Sequence, residues 1–304
     1  MFGVKQRKHH FAHMDMQDCI LEGLKKQMGF NPESTRLTVV GGGSINYAFR
    51  ADFKDERVFV KANHHNRYPL MFESEAKGLG LLAASNGFRV PKVNVVCHEG
   101  PWALIAMEFI ETGSPSAAFA DDFARRLLDL HQGTASSFGL DHDNYIGSLD
   151  QSNLSHNTWS AFFAAERIIP QLKLAMDSGA MEHRWMARAE RILSQLEAYF
   201  PPHPPALLHG DLWSGNYMID AYGNPVIMDP AVYYGHPLMD LGMMRLFGGF
   251  DPEIFRIYAD AKGWSNDWEA GAEVANLYPL LVHVNLFGGG YVQQVQQIIQ
   301  HFAG

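Results

Sequence analysis

The stretch His209-Gly-Asp-Leu-Trp-Ser-Gly-Asn216 carries the pattern Asp-x4-Asn, and a further acid, Asp229, closes the short apolar run Val226-Ile-Met. Two carboxylates and an amide delivered by short turns suit phosphoryl transfer. That reaction needs a base to orient a hydroxyl and hard oxygen ligands for magnesium. Asp211 suits the base; Asn216 and Asp229 suit the metal. Upstream, Lys61 ends an apolar strand-like run, and Glu75 follows on a helical segment with Glu73 as a competitor. A Lys–Glu pair linking strand to helix would hold the ammonium toward the phosphates of ATP. Before them lies Gly41-Gly42-Gly43-Ser44. Such a turn lets backbone amides approach a phosphate, and it equally suits a plain hairpin. Any one of these residues has an ordinary structural reading. Their order along the chain is what points to a kinase.

The elements that must position them are legible from periodicity. Residues 14–29 follow a helical period. Leu37–Val40, Tyr47–Phe53 and Val58–Lys61 read as strands of an antiparallel meander, with Lys54–Arg57 as a polar turn. A helix is expected over 71–85, stopped by Asn86-Gly87. Strands follow at Lys92–Cys97 and Trp102–Phe109 around the turn Glu99-Gly-Pro101. Near 110–116 the composition shifts, and helices are expected at 119–132, 158–177 and 181–199. The run Pro201-Pro-His-Pro-Pro205 ends the last of these. Two short strands then deliver His209–Asp211 and Asp229, and residues 251–304 are helical with an interruption at Gly288–Gly290. The expected division is 1–110, an N-terminal helix with an ATP-binding lobe, and 111–304, a helical lobe with the catalytic loop and acceptor site.

Composition narrows the function classes. The chain has 304 residues, 47% hydrophobic and 19% charged, which is a globular mixture. Asp and Glu (33) exceed Lys and Arg (24), so a nucleic-acid partner is not expected. Cys19 and Cys97 form no C-x-x-C, so neither a disulfide framework nor a zinc site is indicated. The first residues lack the apolar core of a secretory leader, and Ala103–Ile110 is too short to span a bilayer and contains Glu108. A soluble, cytoplasmic protein without membrane contact is expected. There is no Gly-Lys-Ser/Thr and no G-x-S-x-G. Gly78-Leu-Gly-Leu-Leu-Ala83 matches a loose dinucleotide pattern but follows no strand.

The motifs resemble a known family. The order of lysine, helix acid, His-Gly-Asp, Asn and Asp resembles the protein-kinase-like fold of the aminoglycoside phosphotransferases. GGGSINYAF (41–49), RVFVKAN (57–63), MFESEAKGL (71–79), SAFFAAERIIPQL (160–172), LLHGDLWSGN (207–216), DPAVYYGHPLMDLGMMRLFGGF (229–250) and LLVHVNLFGGGY (280–291) are similar to the fructosamine/ketosamine-3-kinases. The resemblance implies an α+β, two-lobed fold: a small antiparallel lobe receiving ATP and a larger, mainly helical lobe. It implies ATP- and magnesium-dependent phosphorylation of the sugar 3-hydroxyl of ketoamines, free or protein-bound. The product would release its amine, a deglycation repair. It places Asp211 as base, Asn216 and Asp229 at magnesium, Lys61 with Glu75 at phosphate, and Glu108-Phe109-Ile110 at the adenine. Met107 would gate that hinge, and Asp240 would brace the catalytic loop by accepting its backbone N–H groups. Relatives often carry Cys in the glycine loop, where this chain has Ser44, so a redox switch there is not expected.

Other residues divide between substrate contact and packing. Trp213 suits stacking on a sugar or its amine-bearing arm, and equally core packing. Tyr234 and His236 are acceptor-pocket candidates with packing as the competing role, as are His283 and Asn285 in an apolar helix. His9, His10 and His13 suit a frayed terminus more than a metal site. Three rival functions stand beside the ketoamine kinase. One is a kinase for an aminoglycoside, choline or simple sugar. Another is a metal hydrolase built on His209, Asp211, Asp229, His236 and Asp240, and the third is a silent nucleotide-binding module. The sequence does not fix the oligomeric state.

Overall fold

The computed structural model describes residues 15–41, 45–264 and 268–303, which fall into two compact units. The first takes the described residues up to Ala76 together with Pro91–Ile110; the second takes Lys77–Val90 and everything from Glu111 on.

The first unit is a helix on a five-stranded antiparallel sheet. Its strands β1 (Arg36–Val39), β2 (Tyr47–Phe53), β3 (Glu56–His64), β4 (Val93–Glu99) and β5 (Trp102–Glu108) are ordered β1-β2-β3-β5-β4. In β2 the period of two buries Phe49, Ala51 and Phe53 on one face. Helix α1 (Met16–Met28) lays Ile20 and Leu24 on that face, with Val58, Val60, Ala62, Leu104 and Ala106 beneath. Asp15 caps its first turn, and Gly29, at φ +74°, ends it in the left-handed conformation. Gly23 lets the helix approach the sheet: a Cβ there would stand 2.7 Å from Leu104 Cδ1.

Helix α2 (Met71–Ala84) begins in the first unit and ends in the second. The second unit is mainly helical. Helix α3 (Phe119–Gln132) buries Phe123, Leu127, Leu130 and His131 along one stripe. The hairpin β6 (Asn144–Ile146) and β7 (Leu149–Gln151) carries no clear pattern in the sequence. The expected 158–177 helix is present in three parts: α4 (Trp159–Phe162), a π-helical turn (Phe163–Ile168) and α5 (Ile169–Asp177). The expected 181–199 helix is shorter, with α6 at Arg184–Leu193 and a 3-10 turn at Leu196–Ala198.

Two short strand pairs carry the polar tips. β8 (Ala206–Leu208) pairs antiparallel with β11 (Tyr233–Gly235), and β9 (Tyr217–Ile219) with β10 (Pro225–Ile227). Helices α7 (Leu238–Leu246), α8 (Pro252–Lys262), α9 (Trp268–Ala275), α10 (Leu277–Phe287) and α11 (Gly290–Ala303) complete the unit. Gly288 and Gly289, both at φ +63°, make the break between the last two. Among the described residues no helix is long and apolar enough to cross a membrane.

Candidate active site

In the first unit β3 carries Lys61 inward, opposite Ala48 of β2 and Ile105 of β5. Its Nζ lies 2.6 Å from Glu75 Oε1, on the second turn of α2, and both side chains are over nine-tenths buried. A buried pair of this kind holds only because each charge answers the other. Glu73, the competing acid, instead faces His98 Nε2 at 3.0 Å. Of the glycine turn, Gly41 follows β1 with open space around its Cα, while Gly42, Gly43 and Ser44 lie outside the described residues. So do His9, His10 and His13. Glu108 ends β5 and its N–H donates to Lys92 O at 2.8 Å. Phe109 lies under the guanidinium groups of Arg50 and Arg57, and Ile110 and Met107 are buried.

In the second unit the loop after β8 is held from behind by Asp240, on the first turn of α7. Asp240 Oδ2 accepts from His209 N at 2.8 Å, and Oδ1 from Gly210 N at 2.9 Å. His131 Nε2 stands 3.2 Å from Oδ2, and Tyr258 OH 2.7 Å from His131 Nδ1. Burial pushes the His131 pKa down against the pull of Asp240; with Nε2–H donating to Asp240, Nδ1 is the atom that faces Tyr258 OH. Burial works to raise the Asp240 carboxyl, but the hydrogen bond from His131, the nearness of the His131 and His209 rings and the Gly210 N–H together hold the group below its ordinary value. The expected brace is therefore present. His131 and Tyr258 extend it through side chains that sequence spacing did not flag. A histidine on the buried stripe of α3 was the available signal.

His209 is fully buried, with Nε2 at 2.9 Å from Met228 O and Nδ1 accepting from Asp211 N at 3.3 Å. Burial lowers its pKa as well. Gly210 sits at φ +84°, and a Cβ there would stand 2.0 Å from Ala231 O, so only glycine fits. Asp211 keeps a partly open surface, yet protein packs around its carboxyl. That burial pushes it up to about 7, and nearby Asp229 and Asp240 add to the rise against the hydrogen bond from Asn216. Asn216 Nδ2 donates to Asp211 O at 2.8 Å and Asp211 Oδ2 at 2.9 Å, and reaches Asp229 O at 3.4 Å. With its NH2 so engaged, the amide turns Oδ1 away from these three oxygens. Asp229 follows β10 in a left-handed conformation, φ +55°, rare for a non-glycine residue. An amide oxygen and carboxylate oxygens are the donor set magnesium takes, so the residues present fit that ion.

Trp213 is 41% exposed, its indole folded over Gly215 with its ring 6.3 Å from that of Phe247. Phe247 in turn lies 5.0 Å from the His283 ring, whose Nδ1 donates to Pro279 O. Trp213 and His283 thus join one aromatic group. Tyr234 sits in β11 opposite Leu207 of β8. His236 is a correction: it is turned into the core among Trp159, Phe200 and Trp264. Its Nε2 donates to Pro201 O and its Nδ1 accepts from Leu238 N, which leaves no ring nitrogen for a substrate. Burial pushes its pKa down to about 3. The hydrolase reading fails for the same reason, since His209 and His236 spend their nitrogens internally. Among the described residues no cluster of three or more His, Cys, Asp or Glu is arranged to hold a metal.

Comparison with known proteins agrees with this geometry. The fructosamine kinase family model matches residues 16–303. The chain belongs to the fructosamine kinase family. This fructosamine kinase family member is 37% identical over 271 residues to an Enterococcus faecium protein named "probable ketoamine kinase", covering 88% of this chain and 95% of that one. It is 35% identical to the chloroplastic protein-ribulosamine 3-kinase of Arabidopsis thaliana, covering 88% and 82%. Among solved structures, one from Thermobifida fusca, provisionally described as a fructosamine-3-kinase, superposes with TM-score 0.82 at 31% identity over 92% of this chain and 97% of that one. An aminoglycoside phosphotransferase in complex with AMP-PNP and hygromycin B gives TM-score 0.64 at 16% identity, covering 94% and 99%. That likeness bears on the kinase-like fold alone. The protein is accordingly an ATP-using kinase with a hydroxyl acceptor.

Proposed function

We propose that the protein transfers the γ-phosphoryl group of ATP to the sugar 3-hydroxyl of ketoamines, the adducts that sugars form with amines. The carrying observation is the match to the fructosamine kinase family across residues 16–303, with Asp211 and Asn216 hydrogen-bonded to each other in a loop that Asp240 fixes. In this reading the Asp211 carboxylate orients the acceptor hydroxyl and takes its proton as the new O–P bond forms and the bond to the ADP oxygen breaks. Asn216 and Asp229 hold magnesium, which when bound neutralises charge on the phosphate oxygens. Lys61, fixed by Glu75, reaches the phosphates, assisted by the amides of Gly41, Gly42, Gly43 and Ser44. The backbone of Glu108–Ile110 receives the adenine.

The acceptor lies against Trp213 and His283. A ketoamine nitrogen is cationic at neutral pH, and an exposed indole is a suitable face for it. Burial lowers the His283 pKa, so that ring adds no competing positive charge. The relatives named as ribulosamine 3-kinases make protein-bound as well as free ketoamines candidate substrates. The test is magnesium-dependent ATP consumption with ribulosyl-lysine, fructosyl-lysine and unglycated lysine. Turnover restricted to the two ketoamines is expected. Nucleotide binding without turnover on either would discard the substrate and keep the fold.

A further inference from the structure

Arg167 is the largest fully buried side chain of the protein's described core, and it sits in the π-helical turn Phe163–Ile168. π-turns inside helices recur at functional sites. No carboxylate lies within ion-pair distance of Arg167 among the described residues. Its guanidinium is instead enclosed by the rings of Tyr233, Phe162 and Tyr278, at 4.1, 4.5 and 5.2 Å. A buried cation without a counter-ion is expensive, and an apolar side chain would fill this space more cheaply. Its hydrogen bonds show what it does there. Nη1 donates to Ser152 O at 2.6 Å and Glu166 O at 3.1 Å, and Nη2 to Asn153 Oδ1 at 2.7 Å.

An arginine only donates, and this fixes the direction of the chain that follows. Asn153 must present its oxygen to Arg167, so its Nδ2 faces outward and donates to Asn144 Oδ1 at 3.1 Å. Asn144 must therefore present its own Nδ2 onward, to Val232 O at 2.8 Å. Gln151 runs in parallel. Its Oε1 accepts from Tyr278 OH at 2.7 Å, and its Nε2 donates to Asn144 Oδ1 at 2.7 Å and Ala231 O at 3.2 Å. Both strings end on the carbonyls of Ala231 and Val232, two and three residues after Asp229, which takes a left-handed conformation. A strained residue persists only where its surroundings over-determine it.

We propose that Arg167 is a positioning residue that, through the amides of Asn153, Asn144 and Gln151, sets the turn at Asp229 and so the strength of metal–nucleotide binding. This rests on the reading of Asp229 as a metal ligand. Removing an outer partner of a metal site typically weakens binding ten- to a hundredfold.

The test is Mn2+ titration, read by electron paramagnetic resonance, in the presence of AMP-PNP, alongside thermal unfolding. Arg167→Met is expected to weaken Mn2+ binding about tenfold, but it also empties a core position. Asn153→Asp avoids that difficulty. It offers Arg167 a carboxylate, yet it removes one of the two N–H donors that orient Asn144, leaving only the Gln151 amide on Asn144 Oδ1. Gln151→Met keeps the volume and cuts the tie to Ala231. Both are expected to stay folded at the assay temperature, each giving up buried hydrogen bonds, and to bind Mn2+ about tenfold more weakly. Wild-type Mn2+ affinity in both, with Asp229→Asn weakened in the same assay, would overturn the inference alone. Wild-type affinity in Asp229→Asn would overturn the metal role of Asp229 and the inference with it.

Discussion

Lys61 and Asp240 are both buried charges, and the two units use them in opposite ways. Asp240 takes two backbone N–H groups and one imidazole N–H, so its charge is consumed inside the protein to hold a loop. Lys61 meets Glu75 across a strand and a helix at 2.6 Å, a pair of opposite side-chain charges with both partners over nine-tenths buried. The difference teaches what each charge is for. A carboxylate saturated by backbone amides is a structural fastener. An ammonium tied to a helix acid joins strand to helix, and in the proposed reading it is turned to the phosphates of ATP.

That contrast is breakable. The largest effect is expected from Asp240→Ala, which strips three buried donors of their acceptor. Stability should fall by about 3–5 kcal/mol, and turnover should fall with it; chemical denaturation and steady-state rates at low temperature check both. Glu75→Gln keeps the shape and removes the charge that aims Lys61. The KM for ATP should rise about tenfold while unfolding shifts less than in Asp240→Ala, by about 1–3 kcal/mol. Equal losses of stability in the two variants would erase the distinction.

The Asp211 carboxyl gives a pH signature. Its folded pKa, raised to about 7, lies above the ordinary carboxylate value, so the folded state holds this proton longer than the unfolded chain does. In the ligand-free protein this group's contribution should be present at pH 4 and lost progressively as pH rises to about 7. Asp211→Asn removes that slope, so its stability advantage over the wild type should grow between pH 5 and pH 7, by an amount on the order of 1 kcal/mol or more. A constant difference across that window would contradict the packing around the carboxyl. The smallest effect belongs to Trp213→Ala, at an exposed ring. The KM for the ketoamine should rise several-fold, with the KM for ATP and the unfolding temperature unchanged. Equal changes in both KM values would return Trp213 to a packing role.

Much of this site was legible because its residues are close in sequence or sit on periodic elements. The Asp-x4-Asn stretch ends in a 3-10 turn, Ser214–Asn216, from which Asn216 reaches back to Asp211. The alternation in β2 was readable, and Lys61 was placed on the next strand, as its end, whereas that strand runs on to His64. What was not legible joins residues far apart. His131 meets Asp240 and Tyr258 across 109 and 127 positions, and no local spacing announces such a pair. For His236 pocket and packing both stood open, because sequence position says nothing of which way a ring turns. Arg167 falls within the helix expected at 158–177, and nothing in its spacing marks it. Its burial depends on a π-turn, which the helical period cannot distinguish from a regular one.

The most direct test of the account follows the transferred group itself. Protein, magnesium, ATP and ribulosyl-lysine are observed together by 31P NMR, with Asp211→Asn in parallel. The account predicts a new phosphomonoester signal coupled to the sugar H3 in the wild type. In Asp211→Asn its rate of appearance should fall by roughly 10²–10⁴-fold while nucleotide binding is retained. A phosphoester at another sugar position, or wild-type transfer by Asp211→Asn, would contradict it.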